Sequence, residues 1–167
     1  QGQFLKMTAY EESIRIPFII AGGQPQGYGA WHSGFWNVPV NHVDIPVTTL
    51  GLCGVAKPEW MLGTDYSRYR YGNRQVSEPD SAYLQSVIPT MHNDSVDKPW
   101  RGVVTKDGWK YACFDGVAWM MFNLNEDPYE QVNLAHNPRF QAERKRLADC
   151  VRKWVRDTGD RFGVPDA

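Results

Sequence analysis

The chain has 167 residues and a net charge of −1, with 42% hydrophobic and 13% aromatic residues. A chain of this length buries roughly 70% of its unfolded surface when it folds. The near-zero net charge gives no field that attracts nucleic acid or an anionic membrane, so we expect neither partner. The sequence shows no targeting segment and no apolar run near the roughly 20 residues that span a bilayer, and it leaves the compartment open.

The first third of the chain alternates apolar runs with glycine-rich breaks. Residues Ile14–Ile20 predict a buried strand, with Pro17 near its beginning, where it removes no interior ladder bond. Residues 21–34 predict a loop, and a short extended segment follows at Val38–Val43. Asp44 stands before a proline-containing first turn, and its carboxylate is predicted to cap a short helix.

Residues 57–81 show no periodicity and carry several tyrosines among arginines. A long loop without regular structure is uncommon in a compact domain and is often functional. We therefore expect this loop either to cover a pocket as a lid or to pack on the main lobe.

The last ninety or so residues predict an antiparallel sheet. Strands are predicted at Ala82–Pro89, Arg101–Thr105, Trp109–Phe114 and Trp119–Leu124. The turn signal at residues 106–108 joins the second and third of these as a hairpin. Short turns between neighbouring strands favour about four antiparallel strands in one sheet.

A long helix is predicted after the sheet. Asn137 is expected to cap it, with Pro138 in its first turn. Apolar residues recur at spacings of three, four and seven from Phe140 onward, so one face is apolar, and Gly159 ends the helix. This helix should lie across one face of the sheet.

Four stretches resemble type I sulfatases, in the order that this family has them. They are Lys6–Pro17 (KMTAYEESIRIP), His42–Ile45 (HVDI), Trp109–Tyr111 (WKY) and Phe122–Ala135 (FNLNEDPYEQVNLA). The first is similar to the family segment that follows the metal-binding Asp-Asn or Asp-His pair. The last two are similar to its C-terminal sheet and the turn that leaves it.

The resemblance implies the fold of the alkaline phosphatase superfamily, an α/β sandwich with a smaller antiparallel sheet and long helix beside it. Residues 1–56 would then be the C-terminal remnant of the large catalytic lobe, containing a strand, a loop and a short helix. Residues 57–81 would be the connecting or lid loop. Residues 82–167 would form the small sheet-plus-helix subdomain.

The resemblance also implies a reaction, the hydrolysis of a sulfate ester on a small molecule or carbohydrate. In the family, a formylglycine made from a Cys/Ser-x-Pro-x-Arg motif attacks sulfur, and calcium holds the sulfate oxygens. Lys6 stands where the family has a sulfate-contacting lysine, and an ammonium suits that role as a compact charge with three donors. Gln1 stands where many relatives carry a histidine near the leaving group, and His32 is a further candidate for substrate contact.

The sequence lacks other parts of that machinery. No cysteine or serine lies in a Cys/Ser-x-Pro-x-Arg motif, and the resemblance places the calcium ligands upstream of Gln1. We therefore expect this chain to bind no cofactor and to be inactive alone, as the C-terminal part of a larger sulfatase.

Two alternatives stay open. Gln1 and Val104 depart from frequent family residues, which would also fit a parent that hydrolyses phosphonate monoesters or phosphodiesters. The chain would otherwise be a non-catalytic binding or oligomerisation module. The isolated chain would expose apolar surface normally covered by the large lobe, and we expect self-association or a disordered N-terminal third.

Overall fold

The computed structural model of the chain describes residues 7–22, 34–70, 76–87 and 96–166. The chain divides into two compact units. One unit joins the segment that ends at Ile16 to the segment that begins at Ser81, and the other runs from Pro17 to Asp80. The predicted division into residues 1–56, 57–81 and 82–167 stays a prediction.

The described residues contain eight helices and strands and one 3-10 turn. In chain order these are α1 (Glu11–Ile14), α2 (Asp44–Leu52), α3 (Ser67–Arg70), β1 (Ser81–Ser86), β2 (Trp100–Thr105), β3 (Trp109–Phe114), β4 (Val117–Asn123), a 3-10 helix (Pro138–Phe140) and α4 (Gln141–Asp157). No described helix combines the length and the apolar character that crossing a membrane requires.

The four strands form one antiparallel sheet in the order β1-β2-β3-β4. This confirms the predicted sheet and its hairpins. The turn between β2 and β3 depends on Gly108, whose φ of 86° lies in the left-handed region. Its N–H donates to the carbonyl of Thr105 at 3.0 Å, which closes the hairpin.

Helix α4 covers one face of the sheet, as predicted. Its 17 residues bury Leu147, Ala148 and Val151 against strand residues such as Val103 and Tyr111. The Asn137 side chain accepts the N–H of Arg139 at 3.0 Å, the bond that a helix cap makes. Gly159 ends the helix with a φ of 67°, because glycine enters the left-handed region without a Cβ penalty.

The opposite face of the sheet is covered by residues Met7–Ile14, called the N-terminal segment below. Ala9 is fully buried there and packs with Trp100, Ala112 and Phe122 of the sheet. The sheet is therefore buried on both faces, by α4 on one side and by the beginning of the described chain on the other.

The predicted strand at Ile14–Ile20 is wrong. Ile14 is the last residue of α1, and residues 15–22 have no regular structure. Ile19 is 80% exposed. An apolar run indicates burial only where another element covers it, and a strand also needs a neighbour that accepts its backbone hydrogen bonds. The predicted extended segment at Val38–Val43 has no strand either, and it ends in a turn.

The unit from Pro17 to Asp80 is built around α2, which begins where predicted. Asp44 is the first residue of the helix and does not cap it. Its carboxylate accepts the N–H groups of Asn41 at 2.6 Å and Thr64 at 2.7 Å, and both donors lie outside the helix. The predicted cap is thus corrected: Asp44 is 4% exposed and ties two loops to the start of α2.

Residues 57–81 are not wholly irregular, because they contain α3. Tyr66 and Tyr69 of this stretch are buried, and their rings stack with centroids 5.8 Å apart. Trp36 stacks on Tyr69 at 5.3 Å. Burial raises the pKa of Tyr66 to about 12, and the nearby Asp44 carboxylate adds to the shift. These contacts pack the stretch within its own unit, and its expected role as a lid or as packing on the main lobe stays a prediction.

Candidate functional site

The predicted site residues Lys6, Gln1 and His32 all lie outside the described residues, and their roles stay predictions. The described chain begins at Met7, the residue bonded directly to Lys6. The geometry that bears on the predicted site is therefore that of the N-terminal segment and of the sheet face beneath it.

The start of the N-terminal segment is held by aromatic residues of the sheet. The indole Nε1 of Trp100 donates to the carbonyl of Met7 at 3.1 Å. The ring of Tyr10 contacts that of Phe122, with centroids 5.9 Å apart. Buried indole N–H groups normally find an acceptor, and here the acceptor is main chain. The backbone directly after Lys6 is thus attached to the sheet.

Three charged residues fasten the same segment one turn later, and we call them the buried ion cluster: Glu11, Lys110 and Glu130. The Lys110 ammonium is fully buried, lies 3.1 Å from Glu11 Oε1 and forms an ion pair with Glu130 Oε1. The other Glu130 oxygen, Oε2, accepts the backbone N–H of Glu11 at 2.6 Å. The cluster therefore joins α1, β3 and the turn after β4.

Glu130 adopts an unusual backbone conformation. Its φ is 53°, and it is the only residue other than glycine with a positive φ in the part of the chain that the structure describes. Such a conformation costs free energy for a residue with a Cβ and persists only where surrounding contacts hold it. Asp127 supports the turn, since its carboxylate accepts the N–H of Val132 at 2.8 Å. Its pKa is held below the usual range, mainly by the N–H of Val132.

The electrostatics of Glu130 follow from its burial. Loss of solvent raises the pKa of Glu130, while the Lys110 ammonium and the Glu11 N–H act in the opposite direction. A buried carboxylate is costly unless it is paired and hydrogen-bonded. Both conditions hold here, so the group suits structural attachment.

Calcium requires several oxygen ligands at one place, and the described residues do not bring such a set together. They contain no group of three or more His, Cys, Asp or Glu side chains that could hold a metal ion. In the buried ion cluster the two carboxylates, those of Glu11 and Glu130, are already bridged by the Lys110 ammonium. These residues do not fit a calcium ion, and no chemical step through calcium follows from them.

A separate pocket of about 570 Å³ opens beside β2, β3 and the chain after α4. Its base includes the ion pair of Arg101 with Asp160, whose Nε and Oδ2 atoms are 2.5 Å apart. The hydroxyl of Tyr83 also donates to Asp160 Oδ2, at 3.1 Å. The hydrogen bond from Arg101 lowers the pKa of Asp160. Phe162 lies over the guanidinium, with 4.7 Å from Cζ to the ring centroid. None of these residues was predicted as a site residue.

The roles of Lys110 and Glu130 were not predicted from the sequence. Both residues lie in stretches that resemble sulfatases. A signal was nevertheless present for Lys110, since it shares a strand face with Ala112 and alternation puts both on one side of the sheet. A lysine on a buried face needs a carboxylate partner. No comparable signal pointed to Glu130.

The four-stranded antiparallel sheet with α4 across one face is the arrangement that the resemblance to sulfatases implied for the C-terminal region. Residues 1–157 match the family described as N-sulphoglucosamine sulphohydrolase, C-terminal. The chain belongs to this family.

Individual relatives agree with this assignment. The chain is 30% identical to the ulvan-active sulfatase of Formosa agariphila over 98% of its own length and 31% of that protein. It spans about a quarter to a third of the length of the curated relatives it matches.

Two solved structures share the fold. One is that of a protein in complex with its substrate D-glucosamine-2-N,6-O-disulfate. It matches with a TM-score of 0.61 and 20% identity, over 71% of this chain and 24% of the other. The phosphonate monoester hydrolase of Agrobacterium radiobacter matches with a TM-score of 0.56 and 17% identity, over 68% of this chain and 24% of the other.

Proposed function

We propose that this chain is the C-terminal part of an enzyme that hydrolyses sulfate esters of carbohydrates, and that it supplies the sulfate-binding Lys6. The observation that carries the proposal is the family match, which begins at residue 1 and includes Lys6. The activity of the ulvan-active sulfatase and the glucosamine disulfate in the solved complex support a sulfated carbohydrate as substrate.

The chemistry assigned to Lys6 is stabilisation of charge. In sulfate ester hydrolysis, negative charge gathers on the sulfate oxygens and the leaving oxygen as the S–O bond breaks. The interaction of a fixed ammonium with those oxygens is stronger in the transition state than in the ground state. This difference lowers the barrier to reaction. The attachment of Met7 to Trp100 supports such a role, because it fixes the main chain next to Lys6.

The remaining catalytic groups are assigned to the length of the sulfatase that this chain does not span. These are the formylglycine nucleophile and the carboxylates that bind calcium. In the proposal, this chain completes the wall of the pocket and is inactive alone. Gln1 and His32 are kept as candidate substrate contacts.

The test uses the full-length enzyme and an aryl sulfate or glucosamine sulfate as substrate. We expect Lys6→Ala to lower kcat/KM about 100-fold or more, the effect typical of removing one donor from developing charge. Lys153→Ala is the matched control, because Lys153 is an exposed lysine on α4, and it should keep wild-type activity. Full activity of the Lys6→Ala enzyme would refute the assigned role.

A phosphonate monoester or phosphodiester hydrolase is the second candidate. The departures at Gln1 and Val104 from frequent sulfatase residues leave it open, and the Agrobacterium radiobacter enzyme shares the fold. The same enzyme preparation should be assayed on aryl phosphonate and phosphodiester substrates. A higher kcat/KM on these than on the sulfate ester would replace the first proposal with this one.

A further inference from the structure

We propose that Lys110 and Glu130 are positioning residues for Lys6, so that the small sheet sets the place of the sulfate-binding ammonium. This inference rests on the proposed function of Lys6. Neither residue is expected to touch substrate. Each would act through the N-terminal segment, whose first described residue is the chain neighbour of Lys6.

The first step of the argument is the path of attachment. Three contacts fix the segment between Met7 and Glu11. Trp100 holds the Met7 carbonyl, and Ala9 is buried against the sheet. The buried ion cluster holds the N–H and the carboxylate of Glu11. Two of these contacts are hydrogen bonds between side chains of the sheet unit and main-chain atoms of the segment, the Met7 carbonyl and the Glu11 N–H, so they restrain the backbone of the segment. The described backbone that directly follows Lys6 is therefore restrained at residues 7 and 11.

The second step concerns charge. Lys110 and Glu130 are fully buried, whereas the Glu11 side chain is 17% exposed. Removing the ammonium would leave two carboxylates facing each other, and Glu11 is the one that can reach water. If the Glu11 side chain turned to water, α1 would lose the attachment that this carboxylate provides. The cluster thus couples the charge of Lys110 to the position of the segment.

The third step is the conformation of Glu130. At a φ of 53° glycine is the favoured residue, so the backbone alone gives no reason for a glutamate. The glutamate side chain is what both the Lys110 ammonium and the Glu11 N–H contact. We infer that the strained backbone is retained for the contact with α1.

The test compares Glu130→Gly and Lys110→Met in the full-length enzyme. Glu130→Gly relieves the backbone and leaves Lys110 paired with Glu11, so the protein should fold. Lys110→Met keeps the apolar length of the side chain and removes only the ammonium. Lys145→Met is the matched control, because Lys145 is an exposed lysine whose partner Asp149 lies on the same helix.

We expect both cluster variants to lower kcat about 100-fold with little change in KM, the effect of displacing a catalytic group by about 1 Å. Amide hydrogen exchange should become faster across residues 8–14 in both variants and stay unchanged in Lys145→Met. Glu130→Gln keeps an oxygen that can accept the Glu11 N–H and removes the negative charge. If this variant restores most of kcat, the hydrogen bond to the Glu11 N–H holds the segment, and the charge of Glu130 does not.

A double-mutant cycle with Lys6→Ala completes the test. If the cluster acts through Lys6, Glu130→Gly should cost little further activity in the Lys6→Ala enzyme. Equal losses in both backgrounds, or unchanged kcat in both cluster variants, would overturn the inference while Lys6→Ala still lost activity. An active Lys6→Ala enzyme would instead overturn the proposed function itself.

Discussion

Replacing Asp160 by asparagine should destabilise the chain in a pH-dependent way. The Arg101 side chain is 5% exposed and that of Asp160 is 19% exposed, so the substitution leaves a nearly buried cation without its carboxylate. Arg101 keeps two other bonds, from Nη1 to the carbonyls of Ser86 and Trp100. The substitution therefore removes the ion pair of Arg101 and leaves its hydrogen bonds to these carbonyls in place.

The magnitude follows from these contacts. A hydrogen bond to a charged group contributes about 1.5–3 kcal/mol, and removing one partner of a fully buried pair costs about 3–5 kcal/mol. Because solvent reaches part of Asp160, we expect Asp160→Asn to lower the free energy of unfolding by about 2 kcal/mol at pH 7. With a urea slope of about 2 kcal/mol/M, the unfolding midpoint should fall by about 1 M.

The pH dependence has a definite sign. Arg101 lowers the pKa of Asp160 in the folded chain, so the carboxylate stabilises the fold above its unfolded pKa of about 4. That contribution is lost as the pH falls through the lower, folded pKa. The difference between wild type and Asp160→Asn should consequently shrink as the pH is lowered from 7 towards 3.

The assay is urea unfolding followed by tryptophan fluorescence at several pH values. Asp166→Asn is the control, because this exposed carboxylate meets Arg152 only at 3.4 Å, and it should leave the midpoint unchanged. Equal midpoints for Asp160→Asn and wild type at pH 7, or a difference that persists unchanged to pH 3, would refute the reasoning.

Two further predictions concern the core. Leu147→Ala should lower the free energy of unfolding by about 3 kcal/mol, because Leu147 is fully buried between α4 and the sheet, whereas Val132→Ala, at an exposed position, should change it by under about 0.5 kcal/mol in the same urea assay. Iodoacetamide at pH 8 should modify the exposed Cys53 but not Cys113 in the folded chain, since Cys113 is fully buried and burial raises the pKa of its thiol to about 12. Modification of Cys113 without denaturant, detected by peptide mass spectrometry, would contradict the packing described for β3.

Local signals were sufficient for the C-terminal sheet and helix. The turn at Gly108, the apolar spacing from Phe140 onward and the stop at Gly159 each lie within a few residues of the structure they predict. The fold class and the family were predicted from the resemblance to sulfatases. These features do not depend on distant contacts, and the structure contains them.

The N-terminal segment could not be predicted in the same way. Glu11 contacts Lys110 across 99 residues and Glu130 across 119. No local pattern encodes such partners, and the apolar run at Ile14–Ile20 suggested a strand in their place. The predicted cap at Asp44 was wrong for a similar reason. Its carboxylate accepts the N–H of Thr64, 20 residues along the chain, and no N–H of the helix that Asp44 begins.

The placement of the N-terminal segment has a consequence for synthesis on the ribosome. Met7 leaves the ribosome 93 residues before Trp100, which provides its hydrogen-bond donor. At about 5–20 residues per second, the segment waits roughly 5–20 s for the strand that covers it. During that interval Ala9 and Tyr10 have no sheet to pack on, so the N-terminal segment can reach its folded position only after the strands of the sheet have been synthesised.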